Sequence, residues 1–192
     1  MIDSLKMLDR HLLLKINSLH TPLLDTFMWY MSESWHTYFL VAIVAYAVYR
    51  KSTPRRMLEF LLGCAIVVAC ADLSTNLIKH SVKRYRPSHN LEIKSDIHSV
   101  RDYKGGEYGF YSSHSANTFG LVAYIFFFIN WIQRRYKLLL FFYPALVAYS
   151  RMYLGVHYPS DVFTGMLAGL FFGILIYKFM NSYFFKNDGQ KA

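Results

Sequence analysis

Three cations stand at or near the ends of apolar segments in this 192-residue chain: Lys79, Arg86 and Arg151. A charge in such a place is costly unless an anion meets it. A phosphoryl group is the natural partner, because an arginine fork grips two oxygens while lysine adds a point charge. Residue types that attack or move protons accompany them. His157 precedes Asp161 by four positions, but Tyr158 stands before Pro159 and is biased away from helical angles. The pair should therefore span a turn in which the carboxylate folds back toward the imidazole. A carboxylate so placed fixes the tautomer and leaves the other ring nitrogen free as a nucleophile. Ser112, Ser113 and His114 open an apolar run, with either serine able to cap a helix, and Pro159 marks the entry to another helix. Backbone N–H groups at both helix starts would point at the anion.

The same reasoning sets other residues aside. Lys83 and Arg84 read as cations snorkelling to lipid headgroups. His11, His20, His36, His80, His89 and His98 lack such partners and read as structural or solvated. Cys64 and Cys70, six positions apart in one apolar run, have no zinc spacing and read as small apolar residues. No carboxylate and histidine cluster offers a divalent metal site, so no cofactor is expected.

The elements that must position these groups are apolar helices. The chain is 54% hydrophobic and 18% aromatic, with only 17% charged residues and a net charge of +9, so the basic residues are concentrated in a few places. They fall in short clusters between apolar runs, which excludes a nucleic-acid-binding face and suits a membrane protein with an anionic partner. Five spans are expected, near residues 36–49, 57–78, 116–132, 138–154 and 162–179, with residues 12–31 a polar candidate for a sixth. The fold class is therefore all-α, a polytopic transmembrane bundle forming a single domain over residues 1–192. Leu5, Leu8, Leu12, Ile16 and Leu19 recur at helical spacing, so residues 1–34 should supply an interfacial amphipathic segment. No removable signal peptide is expected at the N-terminus.

Arg50, Lys51, Arg55 and Arg56, and then Arg134, Arg135 and Lys137, occupy short loops that should remain cytoplasmic, together with a tail over residues 181–192 that carries Lys186 and Lys191. Residues 81–112 should then form an external loop, and all the chemistry-bearing residues fall on that face. Gly165, Gly169 and Gly173 repeat every fourth position and should let a neighbouring helix approach closely. Asp72 and Asn76, polar within the second span, should line the site or bond neighbouring helices.

Three groups of residues carry a resemblance: Lys79-x6-Arg86-Pro87, Tyr111-Ser112-Ser113-His114, and Ser150-Arg151-x5-His157-x3-Asp161. In this order they resemble the motif of the type 2 phosphatidic acid phosphatase family, over about residues 57–180. The middle group departs from the usual Pro-Ser-Gly-His in having Tyr111 and Ser113. The resemblance implies a metal-independent phosphatase acting on a phosphorylated membrane lipid: phosphatidate, phosphatidylglycerophosphate, undecaprenyl diphosphate or lipid A. His157 would be the nucleophile, Asp161 its orienting partner and His114 the acid. Lys79, Arg86, Ser112, Ser113 and Arg151 would hold the phosphate. It also implies a bacterial inner membrane location with the site facing the periplasm. The alternatives are a phosphotransferase on the same scaffold and a non-catalytic protein that binds anionic lipid.

Overall fold

The computed structural model describes residues 2–183, and the described chain is all-helical apart from loops and turns. Lys186, Lys191 and most of the expected tail lie outside the described residues. Eight α-helices follow in order: α1 (Ile2–Asn17), α2 (Pro22–Ser32), α3 (Trp35–Lys51), α4 (Pro54–Val82), α5 (Ser113–Phe128), the short α6 (Arg134–Lys137), α7 (Phe142–Tyr153) and α8 (Pro159–Tyr183).

Local chemistry sets many of the boundaries. Thr21 and Thr53 each precede a proline at the first helical position, and their hydroxyls accept from Leu24 N and Arg56 N, both at 3.2 Å. At the far end of α4, Lys83 adopts a left-handed conformation and its N–H closes onto Lys79 O at 3.0 Å. The expected fourth span is interrupted: residues 138–141 form a 3-10 turn before α7 begins.

α5 is the axis of the molecule. Twelve of its sixteen residues are buried, and α4, α7 and α8 pack around it. The glycine repeat of α8 explains its closeness to α5. A Cβ on Gly165, Gly169 or Gly173 would collide with the carbonyl oxygens of Ser112, Ala116 and Gly120 respectively, so the backbones meet directly. The opposite face of α8 presents Phe163, Leu167, Phe171, Leu175 and Phe179 outward, all exposed. α4 does the same with Leu58, Leu62, Leu73 and Leu77. Apolar surface on this scale needs a covering medium. α4 and α8 are long and apolar enough to cross a membrane, by length and composition. α3, α5 and α7 lie along the other three stretches where spans are expected, but at 17, 16 and 12 residues they are shorter.

The main core joins α3, α4, α5 and α8 through Val48, Phe60, Val67, Tyr124, Ile125 and Met180. A second cluster joins α2, α7 and the long loop through Met28, Val100, Tyr153 and Val156. That loop, residues 83–112, is built of turns and one isolated bridge, Tyr85 to Tyr108, and its Ile93 and Val100 are buried.

α1 meets the protein through a mixed face. Asp9, Leu13 and Asn17 are buried, whereas Leu5, Leu8, Leu12 and Leu19 are exposed. Asn17 explains part of this: its amide donates to Tyr153 O at 2.7 Å and to His98 O at 3.0 Å, and its oxygen accepts from His98 N at 2.8 Å.

Candidate active site

Five elements converge at one end of the bundle. Lys79 lies in the last turn of α4, Arg86 in the long loop, His114 in the first turn of α5, and Arg151 near the end of α7. His157 sits in the turn from α7 into α8, and Asp161 in the first turn of α8. Arg86, Ser112, Arg151, His157 and Asp161 are all buried. The two helix starts are tied together, since Ser112 N donates to Asp161 O at 3.0 Å.

Ser112 is the N-cap of α5, its Oγ accepting from Ser115 N at 3.5 Å, and Ser113 is the first helical residue. Ser113 has no positive φ, so the position where the resemblance leads one to expect glycine does not require one here. Ser113 Oγ instead accepts from Lys79 Nζ at 3.2 Å. Tyr111, at the other departure, is buried, and its hydroxyl pairs with Ser74 Oγ of α4 at 2.7 Å. Ser150 is occupied within its own helix, donating to Val147 O at 2.7 Å.

The state of His157 follows from its neighbours. Arg86 Nη1 lies 3.1 Å from His157 Nε2, and a guanidinium can only donate, so Nε2 carries a lone pair and the ring proton is on Nδ1. Nδ1 is 3.5 Å from Asp161 Oδ2, too long for a good hydrogen bond. Burial, then Arg86, Arg151 and Lys79 in turn, hold the imidazole well below the ordinary histidine range. Arg86 is itself drawn down to about 10, first by burial and then by Arg151. Arg151 Nη2 donates to Tyr103 Oη at 3.2 Å, while its Nε is buried with no partner among the described residues. The site therefore holds three cations around an unprotonated nitrogen.

Asp161 corrects the reading of Arg84. Arg84 does not snorkel: its Nη1 donates to Asp161 Oδ1 at 2.6 Å and to Ser160 Oγ at 2.7 Å, and its Nη2 donates to Asp9 Oδ2 at 2.6 Å. The fork geometry suits two carboxylates, a chemistry that a lone basic residue near a span end does not reveal. His98 and His20 also have partners. His98 Nε2 pairs with Asp25 Oδ2 at 2.9 Å, and the two imidazoles stack at 3.8 Å. Asp72 accepts from Asn117 Nδ2 at 2.9 Å, bridging α4 and α5, whereas Asn76 faces outward. Beside His114 a cavity of about 260 Å³ opens, lined in part by Glu33, Thr37, Asp72, Ser113 and Asn117.

Residues 56–184 match the model of the PAP2 superfamily. The chain belongs to the PAP2 superfamily. This PAP2 chain is 34% identical over 175 residues to a lipid A 4'-phosphatase of Porphyromonas gingivalis, covering 88% of this chain and 72% of the relative. It is 31% identical to a lipid A 4'-phosphatase of Bacteroides thetaiotaomicron, covering 92% and 79% of the two chains. The crystal structure of Aquifex aeolicus LpxE superposes with a TM-score of 0.68 at 25% identity, over 89% of this chain and 95% of that one. A transmembrane PAP2-type phosphatidylglycerolphosphate phosphatase from Bacillus subtilis shares the fold, with a TM-score of 0.70 at 22% identity, over 94% and 88%. This PAP2 protein is a membrane lipid phosphatase.

Proposed function

We propose that the chain hydrolyses a phosphate ester of a lipid A-type glycolipid through a phosphohistidine on His157, without a metal. The observation that carries the mechanism is the Arg86 to His157 contact of 3.1 Å, which leaves a lone pair on Nε2 amid Lys79, Arg86 and Arg151. A bound phosphate would take the arginine donors, including the unpartnered Arg151 Nε, and bring phosphorus to Nε2. As the N–P bond forms and the P–O bond to the lipid breaks, His114 would give its proton to the leaving oxygen. His114 would then remove a proton from a water that attacks phosphorus, releasing inorganic phosphate and restoring His157. Asp161 would stabilise the Nδ1–H tautomer throughout. The three cations would supply the charge stabilisation that a metal provides in other phosphatases.

The two lipid A 4'-phosphatase relatives and the cavity beside His114 support this substrate class. Asp72, Asn117, Glu33 and Thr37 give that cavity polar groups where the leaving sugar would sit. We further propose one domain with five spans, α3, α4, α5, α7 and α8, residues 1–34 at the interface and residues 81–112 on the external face of a bacterial inner membrane. The basic loops at residues 50–56 and 134–137 support that orientation.

Phosphate release by the purified protein from lipid A, polyprenyl diphosphate and phosphatidylglycerophosphate tests the substrate. Release from lipid A should dominate and survive chelators, and a requirement for added magnesium would overturn the metal-free mechanism. For the orientation, an impermeant thiol reagent on intact cells should label cysteine placed at Ser99 and spare one at Gln133, and the reverse pattern would refute it.

A further inference from the structure

We propose that Asp9, on the N-terminal helix α1, is a positioning residue of the catalytic site, acting on Asp161 through Arg84. The inference rests on His157 being the nucleophile, and failure of that reading would show separately, as turnover surviving in His157→Ala.

Asp9 is only 8% exposed. Its Oδ1 accepts from Ser160 N at 2.8 Å, and its Oδ2 accepts from Ser160 Oγ and from Arg84 Nη2, each at 2.6 Å. The other arm of the same guanidinium grips Asp161 Oδ1 at 2.6 Å, and the guanidinium plane lies over Tyr158 at 4.0 Å. Asp161 is thus held on three sides: Arg84 on Oδ1, Tyr158 N on Oδ2 at 3.0 Å, and the first turn of α8 behind it. What remains for Oδ2 is to face His157 Nδ1. Arginine carries a long flexible stem, and the Arg84 side chain is 26% exposed, so one carboxylate alone would leave it able to swing out to the headgroups. Asp9 closes the second arm of the fork and keeps Arg84 in place. The N-terminal helix thereby completes the active site rather than merely covering it.

Positioning and simple charge effects predict opposite signs in one measurement. His157 is faced by Lys79 from α4, Arg86 from the long loop, His114 from α5, Arg151 from α7, and Asp161 from α8, with Gly109 of the loop alongside. All of these stay in Asp9→Asn. If Asp9 acted only as a distant anion, its neutralisation would lower the affinity of His157 for a proton and move the acid limb of kcat/KM to lower pH. If Asp9 holds Arg84, its loss releases the cation and leaves the Asp161 charge uncompensated beside His157. The acid limb then moves to higher pH.

We expect Asp9→Asn to lower kcat about tenfold with KM nearly unchanged and to raise the acid limb by roughly half a pH unit, as for a lost charge partner. Asp9→Glu should recover part of kcat. In an Arg84→Gln background, Asp9→Asn should cost nothing more, because the two residues act as one unit. An acid limb that stays or falls, an unchanged kcat, or additive losses would overturn the proposal. Should Asp9→Asn fail to yield folded protein, Arg84→Lys serves instead: the cation remains but cannot grip both carboxylates, so kcat must fall with KM nearly unchanged. A wild-type kcat for Arg84→Lys overturns the proposal equally.

Discussion

The turn that carries His157 and Asp161 is approached by two helices that grip it by opposite physics. α5 meets α8 through bare backbone, with Gly165, Gly169 and Gly173 laid against the carbonyls of Ser112, Ala116 and Gly120. α1 meets the same end chiefly through ions and amides, with Asp9 on Arg84 and Ser160 and Asn17 on Tyr153 and His98, while Leu13 packs on Tyr158 and Leu5, Leu8 and Leu12 point away. Dispersion between closely packed backbones is short-ranged and tolerates no added atom. A charge-assisted network is strong only while every member is present. The first contact should therefore fail on overpacking and the second on loss of a single charge.

Gly169→Val is the harshest test of this contrast. Its side chain would strike the Ala116 carbonyl and force α8 off α5, costing about 3 kcal/mol or more. The yield and thermal unfolding of detergent-solubilised protein report it, and an unchanged Tm would mean the helices are not in backbone contact. Arg151→Lys comes next. The fold should survive, but turnover should drop on the order of 100-fold as a forked donor becomes a point charge. Near-normal turnover would remove Arg151 from the phosphate site.

A third measurement concerns pH. Because burial and three cations hold His157 below the ordinary value of 6.5, its imidazole stays neutral as pH falls through that value. The kcat/KM profile should therefore keep its plateau below that pH and lose it only in more acid solution. An acid limb at or above the ordinary value would contradict the geometry. The smallest effect belongs to the outward stripe of α1. Leu8 is 53% exposed, so Leu8→Ser should change stability in detergent by less than about 0.5 kcal/mol. A large loss would show that the stripe packs on protein.

The same contrast explains what the sequence discloses. The glycine repeat and the three groups around Lys79, Ser112 and His157 are local patterns, and each marks its element or its site without knowledge of the rest. The role of Arg84 is not local. Its partner Asp9 lies 75 positions earlier, and nothing between them signals the contact. His98 is hidden from sequence for the same reason, pairing with Asp25 across 73 positions. The face of α1 is legible as amphipathic, but which side meets the protein depends on Asp9 and Asn17 finding partners in α7, α8 and the long loop. The break before α7 also escapes hydropathy, since residues 138–141 are as apolar as the helix that follows.

The central claim is the covalent intermediate on His157, and rapid quench of the His114→Ala variant with nitrophenyl phosphate tests it most directly. A nitrophenolate leaves without an acid, so His114→Ala should still be phosphorylated, whereas the attack of water on the phosphohistidine should be slow without its base. The account predicts a burst of nitrophenol, one equivalent per enzyme, accompanied by an acid-labile phosphoenzyme that disappears in the His114→Ala/His157→Ala double variant. No burst in His114→Ala, or a phosphoenzyme that persists once His157 is removed, would contradict it.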